Sequence, residues 1–304
     1  MSANVSTDEG STYRWDEWTL DDLVAAKADV RVSLVVPAKD EASTVGQMVE
    51  SLRARLMGAS ALVDELVVID SDSSDATARV AADAGAAVYA ASSIRPDLGS
   101  LPGKGEAMWK AQFVTTGDVL VFMDADLIEW DTHFVPGLLG PLLTEPSVAL
   151  VKGFYRRPGP SGLDGGRVTE LVARPLISLL HPELAWLVQP LAGEWAIRRD
   201  LFSRLSVPCG YAVELAALVD TAAQRGVEAI AQVDLGRRDH RHRDLHDLGA
   251  MATQILSAML TRQGRAPIDG AELIQYLPTA GPSEPASRHV VLAERPPARE
   301  VEPC

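Results

Sequence analysis

Val119-Leu120-Val121-Phe122-Met123-Asp124-Ala125-Asp126 is an apolar run that stops at two carboxylates one residue apart. Its length and the Gly117-Asp118 that precedes it read as a short, fully buried strand and not a helix. Alternation at a strand end turns Asp124 and Asp126 to the same side, with the small Ala125 between them. Two carboxylates so placed suit a hard divalent cation, and Mg2+ or Mn2+ keeps coordination positions open for phosphate oxygens. A solvated turn closing the strand accounts for the tripeptide equally well, so its neighbours decide.

Upstream, residues 31–37 form a β-branched strand, Ala38-Lys39-Asp40-Glu41 a loop, and Ser43-Thr44 the cap of a helix running to about Met57. The pattern recurs in a strand at 65–70, a polar loop at 71–75, a helix at 77–84 and a short strand at 86–90. A loop with Pro96, Pro102 and Gly103 then leads into a helix at 104–114. Alternation of this kind predicts an α/β fold with a mostly parallel central sheet flanked by helices, whose ligands bind beyond the carboxyl ends of the strands. Pro37, Ala38, Lys39, Asp40, Glu41, Ser71, Lys104, Asp124 and Asp126 all fall at that edge. Backbone and carboxylate groups after the first strand, with Ser71, can hold a base and ribose, and Lys104 can neutralise a phosphate. No Walker loop surrounds Lys104 and no Gly-x-Gly-x-x-Gly follows the first strand, which disfavours a dinucleotide enzyme.

A net charge of -14 over 304 residues opposes nucleic-acid binding. Cys209 and Cys304 lie far apart without metal-ligand spacing, so neither a disulfide framework nor a zinc site is expected, and a cytoplasmic location fits best. The first 16 residues lack the basic and apolar regions of a signal peptide. Arg174, His181 and Glu183 interrupt the most apolar region, so nothing approaches the roughly 20 residues of a membrane span.

Downstream, 148–155 reads as a strand and 156–162 as a loop, followed by Gly165-Gly166-Arg167-Val168-Thr169. Glycines before a helix start, with an Arg and a Thr in the first turn, make an anion site. Loops place Glu194 and Glu214 before apolar segments, where a carboxylate can hold sugar hydroxyls or cap a helix. Residues 237–243 carry four arginines and two histidines, among them Arg238, His240, His242 and Arg243, a density that suggests an anionic ligand in so acidic a chain. His240 could complete a Mn2+ site begun by Asp126. A long helix is expected at 245–262. The Pro-, Ala- and Glu-rich stretch beyond 264 implies little order past Leu277, and little order is expected in the first 13 residues. The chain thus divides into an arm (1–30), a half that carries the Asp-x-Asp (31–150), a half that carries the glycine-led anion segment and the basic run (151–262), and a partly disordered tail (263–304).

The constellation resembles the GT-A-fold glycosyltransferases, with their Rossmann-like sheet, and more narrowly the glucosyl-3-phosphoglycerate synthases of actinobacteria. The resemblance runs from about residue 15 to 278. It is carried by Val-Pro-Ala-x-x-Glu at 36–41, Pro-Gly-Lys-Gly-Glu-Ala at 102–107, the Asp-x-Asp, Phe-Tyr-Arg-Arg-Pro at 154–158 and Gly-Gly-Arg-Val-Thr-Glu-Leu-Val-Ala-Arg-Pro-Leu at 165–176. Gln-Pro-Leu-x-Gly-Glu at 189–194 and Ala-Ile-Ala-Gln-Val at 229–233 extend it. The resemblance implies a retaining transfer of glucose from UDP-glucose (or GDP-glucose) to the 2-hydroxyl of 3-phosphoglycerate, with Mg2+ or Mn2+, on the way to glucosylglycerate and methylglucose lipopolysaccharide. It also implies a homodimer. On this chain Pro37 to Glu41, Ser71, Lys104, Asp124 and Ala125 would hold uridine and diphosphate, and Asp126 with His240 the metal. Gly165, Gly166, Arg167, Val168, Thr169 and His242 would line the acceptor site. Tyr211, Ala212, Val213 and Glu214 would hold glucose, Arg238 and Arg243 the leaving diphosphate or acceptor, and the Leu191 carbonyl would stand near the anomeric centre. Asp126, Leu191 and Glu214 are the catalytic candidates.

Several positions depart from the family pattern. Asp-Ser-Asp reads Asp-Ala-Asp, Pro-Ala-Leu-Asn-Glu reads Pro-Ala-Lys-Asp-Glu, and Asp-Ser-Gly-Ser reads Asp70-Ser71-Asp72-Ser73, which bears on base and sugar preference. The loop between Pro158 and Gly165 is several residues shorter and a site Asn is His242, which bears on the acceptor. The alternatives are a mannosyl-3-phosphoglycerate synthase using GDP-mannose, a related transferase with another acceptor, a sugar-nucleotide-binding protein without turnover, and a nucleotidyltransferase on a similar sheet.

Overall fold

The computed structural model describes residues 10–58, 61–128, 130–156, 158–159, 162–163, 166–237, 245–277 and 284–302. In chain order the strands of the central sheet are β1 (Ser11–Arg14), β2 (Val32–Ala38), β3 (Glu65–Asp70), β4 (Ala87–Ala90), β5 (Val119–Phe122), β6 (Leu150–Arg156), β7 (Trp195–Arg198) and β8 (Ile230–Arg237). They lie in the order β1-β8-β6-β7-β5-β2-β3-β4. β7 is antiparallel to both neighbours, β5 and β6, while the other pairings are parallel.

Besides a single turn at Arg199–Phe202, the α-helices are α1 (Leu20–Lys27), α2 (Val45–Leu56), α3 (Thr77–Asp83), α4 (Lys104–Ala111), α5 (Phe134–Thr144), α6 (Arg174–Leu180), α7 (Val213–Arg225) and α8 (Leu245–Arg262). They form two layers because the central strands are apolar on both faces. On β5, Leu120 and Phe122 enter one apolar cluster with residues of α4, α7 and α8, and Val119 and Val121 enter the other with residues of α2 and α5. Full burial of each such side chain is worth about 1.5–3 kcal/mol, so a one-residue slip of β5 would be opposed strongly.

Two stretches expected to carry little order are built into the fold. Ser11–Arg14 adds β1 parallel to β8 at the sheet edge, where Gln232 donates to Thr12 at 3.0 Å and the Trp15 ring lies 4.0 Å from that of His133. Past Leu277, β10 (Glu284–Val291) pairs antiparallel with β9 (Gly270–Leu277), both packed on α8, and Glu294–Arg295 pairs with Val207–Pro208. The second of these stretches is tied to the core by a buried charge. Glu106 in α4 is 1% exposed, and Arg295 grips both of its oxygens at 2.7 Å while also donating to Leu98 O. Composition does not reveal a partner 189 residues away. No helix among the described residues is long and apolar enough to cross a membrane.

Candidate active site

The carboxyl ends of β2, β3 and β5 meet at one edge, since Ala38 pairs with Asp70 and Val35 with Phe122. The loops that follow β2 and β3 brace each other. Lys39 donates from Nζ to the carbonyls of Ser71 and Asp72, both at 2.8 Å, and the Ser71 amide donates to Ala38 O at 2.8 Å. Asp40, at φ 56°, accepts from the Ser74 amide at 2.7 Å, which holds its carboxyl below the usual range, and its own amide donates to Ser73 Oγ at 2.9 Å. Pro37, Ala38, Lys39, Asp40, Glu41 and Ser71 are therefore brought together at one edge of the sheet, Pro37 and Ala38 buried there.

β5 ends at Phe122, and the alternation continues past it: Met123, Ala125 and Leu127 are buried, whereas Asp124 and Asp126 are partly open. Lys104 approaches this pair through a close backbone contact. Gly103 has φ 128°, a Cβ on Gly105 would fall 1.9 Å from Pro208 O, and the Glu106 amide donates to Cys209 O at 3.0 Å. With α4 pressed this tightly on the approach to α7, the Lys104 ammonium bridges Asp124 Oδ1 and Glu214 Oε1, the latter at 2.8 Å. Burial pulls the Lys104 pKa down, but Asp124 and Glu214 outweigh it and hold the ammonium above its ordinary value. An ammonium has three N–H groups, so two carboxylate contacts leave one for a phosphate oxygen. The sequence expectation that Lys104 faces a phosphate thus gains two carboxylate partners that spacing did not reveal.

The antiparallel β7 brings a second turn to the same edge. Ala192 donates to Gln189 O at 3.0 Å, placing Leu191 within the turn, and a Cβ on Gly193 would lie 2.0 Å from Asp124 Oδ2, so glycine alone lets the turn pass. Behind it Glu194 is fully buried, and so is Lys152 of β6, whose Nζ donates to Ala192 O. Burial pushes the Lys152 pKa down to about 8, with Lys104 adding to the effect and Glu214, Glu194 and Asp124 opposing it. Lys152 and Gly193 escaped the reading of the sequence. The available signal was a lysine inside the otherwise apolar run 150–155.

Tyr211 and Ala212 lead into α7, whose first turn carries Val213 and Glu214; the Tyr211 amide donates to Gln254 Oε1 at 2.9 Å. Of the segment expected to bind the acceptor, the described part starts at Gly166, whose carbonyl accepts from the Glu170 amide at 2.9 Å; Arg167 is exposed, and Val168 and Thr169 are buried. Val168 enters the same apolar cluster as Ala212 and Val213. Thr169–Ala173 is a π-helical stretch running into α6, a form that appears often at functional sites. Gly165, Arg238, His240, His242 and Arg243 lie outside the described residues.

No group of three His, Cys, Asp or Glu suited to a metal occurs among the described residues. Asp126 by itself fits a hard cation, because Mg2+ is commonly held by one or two carboxylates plus substrate phosphates.

The mostly parallel sheet thus brings two carboxylates and a paired lysine to its carboxyl edge, beside two braced loops, the place where open α/β sheets bind their ligands. The family model for glycosyl transferase family 2 matches residues 33–205. Glucosyl-3-phosphoglycerate synthase of Mycolicibacterium smegmatis is 47% identical over 96% of this chain and 97% of its own, and that of Mycolicibacterium paratuberculosis 45% identical over 94% and 89%. The crystal structure of glucosyl-3-phosphoglycerate synthase from Mycobacterium tuberculosis with Mn2+, UDP and glucosyl-3-phosphoglycerate superposes with TM-score 0.87 at 43% identity, covering 96% of this chain and 99% of that one. A second structure of that enzyme, with Mg2+ and UDP, gives 0.87 at 44% identity, covering 95% and 98%. The chain belongs to glycosyl transferase family 2 and, within it, to the glucosyl-3-phosphoglycerate synthases.

Proposed function

We propose that this protein transfers glucose from UDP-glucose to the 2-hydroxyl of 3-phosphoglycerate, with retention at the anomeric carbon and with Mg2+ or Mn2+. The observation that carries the reading is the Lys104 ammonium held between Asp124 and Glu214 at the carboxyl edge of the sheet. That arrangement supplies a fixed positive charge where a diphosphate must leave, and it orients two carboxylates toward the nucleotide and the sugar.

The loops at 37–41 and 71–73 form the nucleoside clamp. Lys104 directs its remaining N–H to the diphosphate, and Asp126 holds the metal together with His240. When bound, the metal stabilises the charge on the departing UDP. Glu214 with the backbone of 211–213 positions glucose hydroxyls, and the Leu191 carbonyl places a negative dipole near the anomeric carbon while positive charge develops there. Gly165, Gly166, Arg167, Val168, Thr169 and His242 serve the phosphoglycerate, and Arg238 and Arg243 the anionic groups. The acceptor hydroxyl attacks from the face on which UDP departs.

The test is a matrix of UDP-glucose, GDP-glucose and GDP-mannose against 3-phosphoglycerate, glycerate and phosphoenolpyruvate in Mg2+ or Mn2+. The expected result is turnover of UDP-glucose with 3-phosphoglycerate, abolished by chelation and reduced at least about 100-fold in Asp126→Ala. Preference for GDP-mannose, or an Asp126→Ala variant as active as the parent, would overturn the reading. The protein is further proposed to be a cytoplasmic homodimer. Support for the dimer comes from the exposure of Leu171 (72%) and Leu179 (79%), with Ile274 and Tyr276 on β9 packed against the same α8.

A further inference from the structure

We infer that Lys152 is a positioning residue, whose ammonium holds the turn at 189–193 in the shape that presents the Leu191 carbonyl to the reacting sugar. The inference rests on the function proposed above. Lys152 lies opposite Trp195 in the β6–β7 register, is 1% exposed, and stands 5.7 Å from the centroid of the Trp195 ring. Burying a lysine is costly, and an aliphatic residue would fill this strand position with less penalty. What the ammonium reaches explains its presence: Nζ donates to the carbonyl of Ala192, the residue next to Leu191.

The rest of the turn is tied to the same strand by other groups. The Gln189 side chain donates to Tyr155 O at 2.6 Å and accepts from the Tyr155 amide at 3.3 Å, and the Gly153 amide donates to Glu194 O at 2.9 Å. Both ends of the turn are therefore anchored on β6, and Lys152 secures the middle. Holding the Ala192 carbonyl fixes one peptide plane and leaves only two soft dihedrals between it and the plane that carries the Leu191 carbonyl. Gly193 already touches the Asp124 carboxylate, so the turn cannot shift that way. The charged groups that face Lys152 are Glu194 on the turn, Asp124 after β5, Lys104 at the start of α4 and Glu214 at the start of α7. A charge-assisted bond to a backbone carbonyl, inside a low-dielectric cluster, is a strong constraint on a loop.

The experiment compares Lys152→Met and Lys152→Gln with the parent protein. It reads kcat and the KM for UDP-glucose, UDP affinity in Mn2+ by calorimetry, thermal unfolding, and amide hydrogen exchange over 189–194. The expected result is a kcat about 10- to 100-fold lower, the scale set by a misplaced catalytic group. UDP affinity should stay within about threefold, since uniform binding is untouched. Exchange in the turn should be faster, with Lys152→Gln, which retains a shorter donor, less affected than Lys152→Met. Unchanged kcat and exchange in a folded variant would overturn the assignment, as would failure of both variants to fold, which would make Lys152 a core strut. If the parent protein does not turn over UDP-glucose, the functional reading falls, while turn exchange still tests what Lys152 holds.

Discussion

Lys152 and Lys104 share one cluster and feel opposite fields. Lys104 has a carboxylate on either side and stays charged, whereas Lys152 is dominated by burial, which brings its pKa to about 8. Between that value and the ordinary lysine value of about 10.4 the unfolded chain keeps the proton that the folded chain has released. Unfolding then takes up a proton, so this group's contribution to stability rises with pH across the window. The expected outcome is that wild type gains stability relative to Lys152→Gln between pH 8 and 10, by at most about 1.4 kcal/mol per pH unit. Urea unfolding of both proteins at each pH reads it directly. A gap that narrows with rising pH would show that the opposing carboxylates, Glu214, Glu194 and Asp124, dominate over burial.

The decisive element is α4. It delivers Lys104 to the site from its first residue, and its position is set by contacts along its length. Gly105 meets Pro208 O, Trp109 donates from Nε1 to Pro296 O at 2.8 Å, and Glu106 is held by Arg295, whose guanidinium also lies 5.0 Å from the Trp109 ring centroid. The carboxy-terminal segment is thus a strap across α4. Arg295→Met leaves Glu106 buried without its bidentate partner, and removal of one member of a buried pair costs about 3–5 kcal/mol. The expected lowering of the urea midpoint checks this. A shift below about 0.5 kcal/mol, the size of an ordinary surface substitution, would remove the strap from the account.

At the scale of the whole molecule, the sheet divides two apolar layers and leaves polar chemistry at one edge, but the described surface is not uniformly polar. Leu171 and Leu179 are mostly exposed on the helical stretch containing Thr169–Ala173 and α6; α8 packs against Thr169–Ala173, and β9 and β10 pack on α8. If this face joins two copies of the chain, the double variant Leu171→Asp/Leu179→Asp is expected to elute as a monomer in size-exclusion chromatography with light scattering, at unchanged folded-state circular dichroism. A parent protein that is already monomeric, or a double variant that stays dimeric, would place the contact elsewhere or nowhere.

The sequence by itself determined the elements whose signals are local. The run from Val119 to Asp126 announced a buried strand with carboxylates beyond it, strand–helix alternation determined a mostly parallel sheet, and 245–262 was legible as the helix α8 from its periodicity. The meeting of the loops at 37–41 and 71–73 followed, because parallel topology forces successive loops to one edge. What only the tertiary structure decided depends on residues far apart in the chain. Lys104 meets Glu214 across 110 positions and Arg295 meets Glu106 across 189, and no spacing rule reaches that far. The antiparallel β7, which carries Gly193 to Asp124 and Ala192 to Lys152, was invisible for the same reason. A strand's direction in a sheet is settled by which neighbours cover its two faces, and that information exists only once the chain has closed on itself.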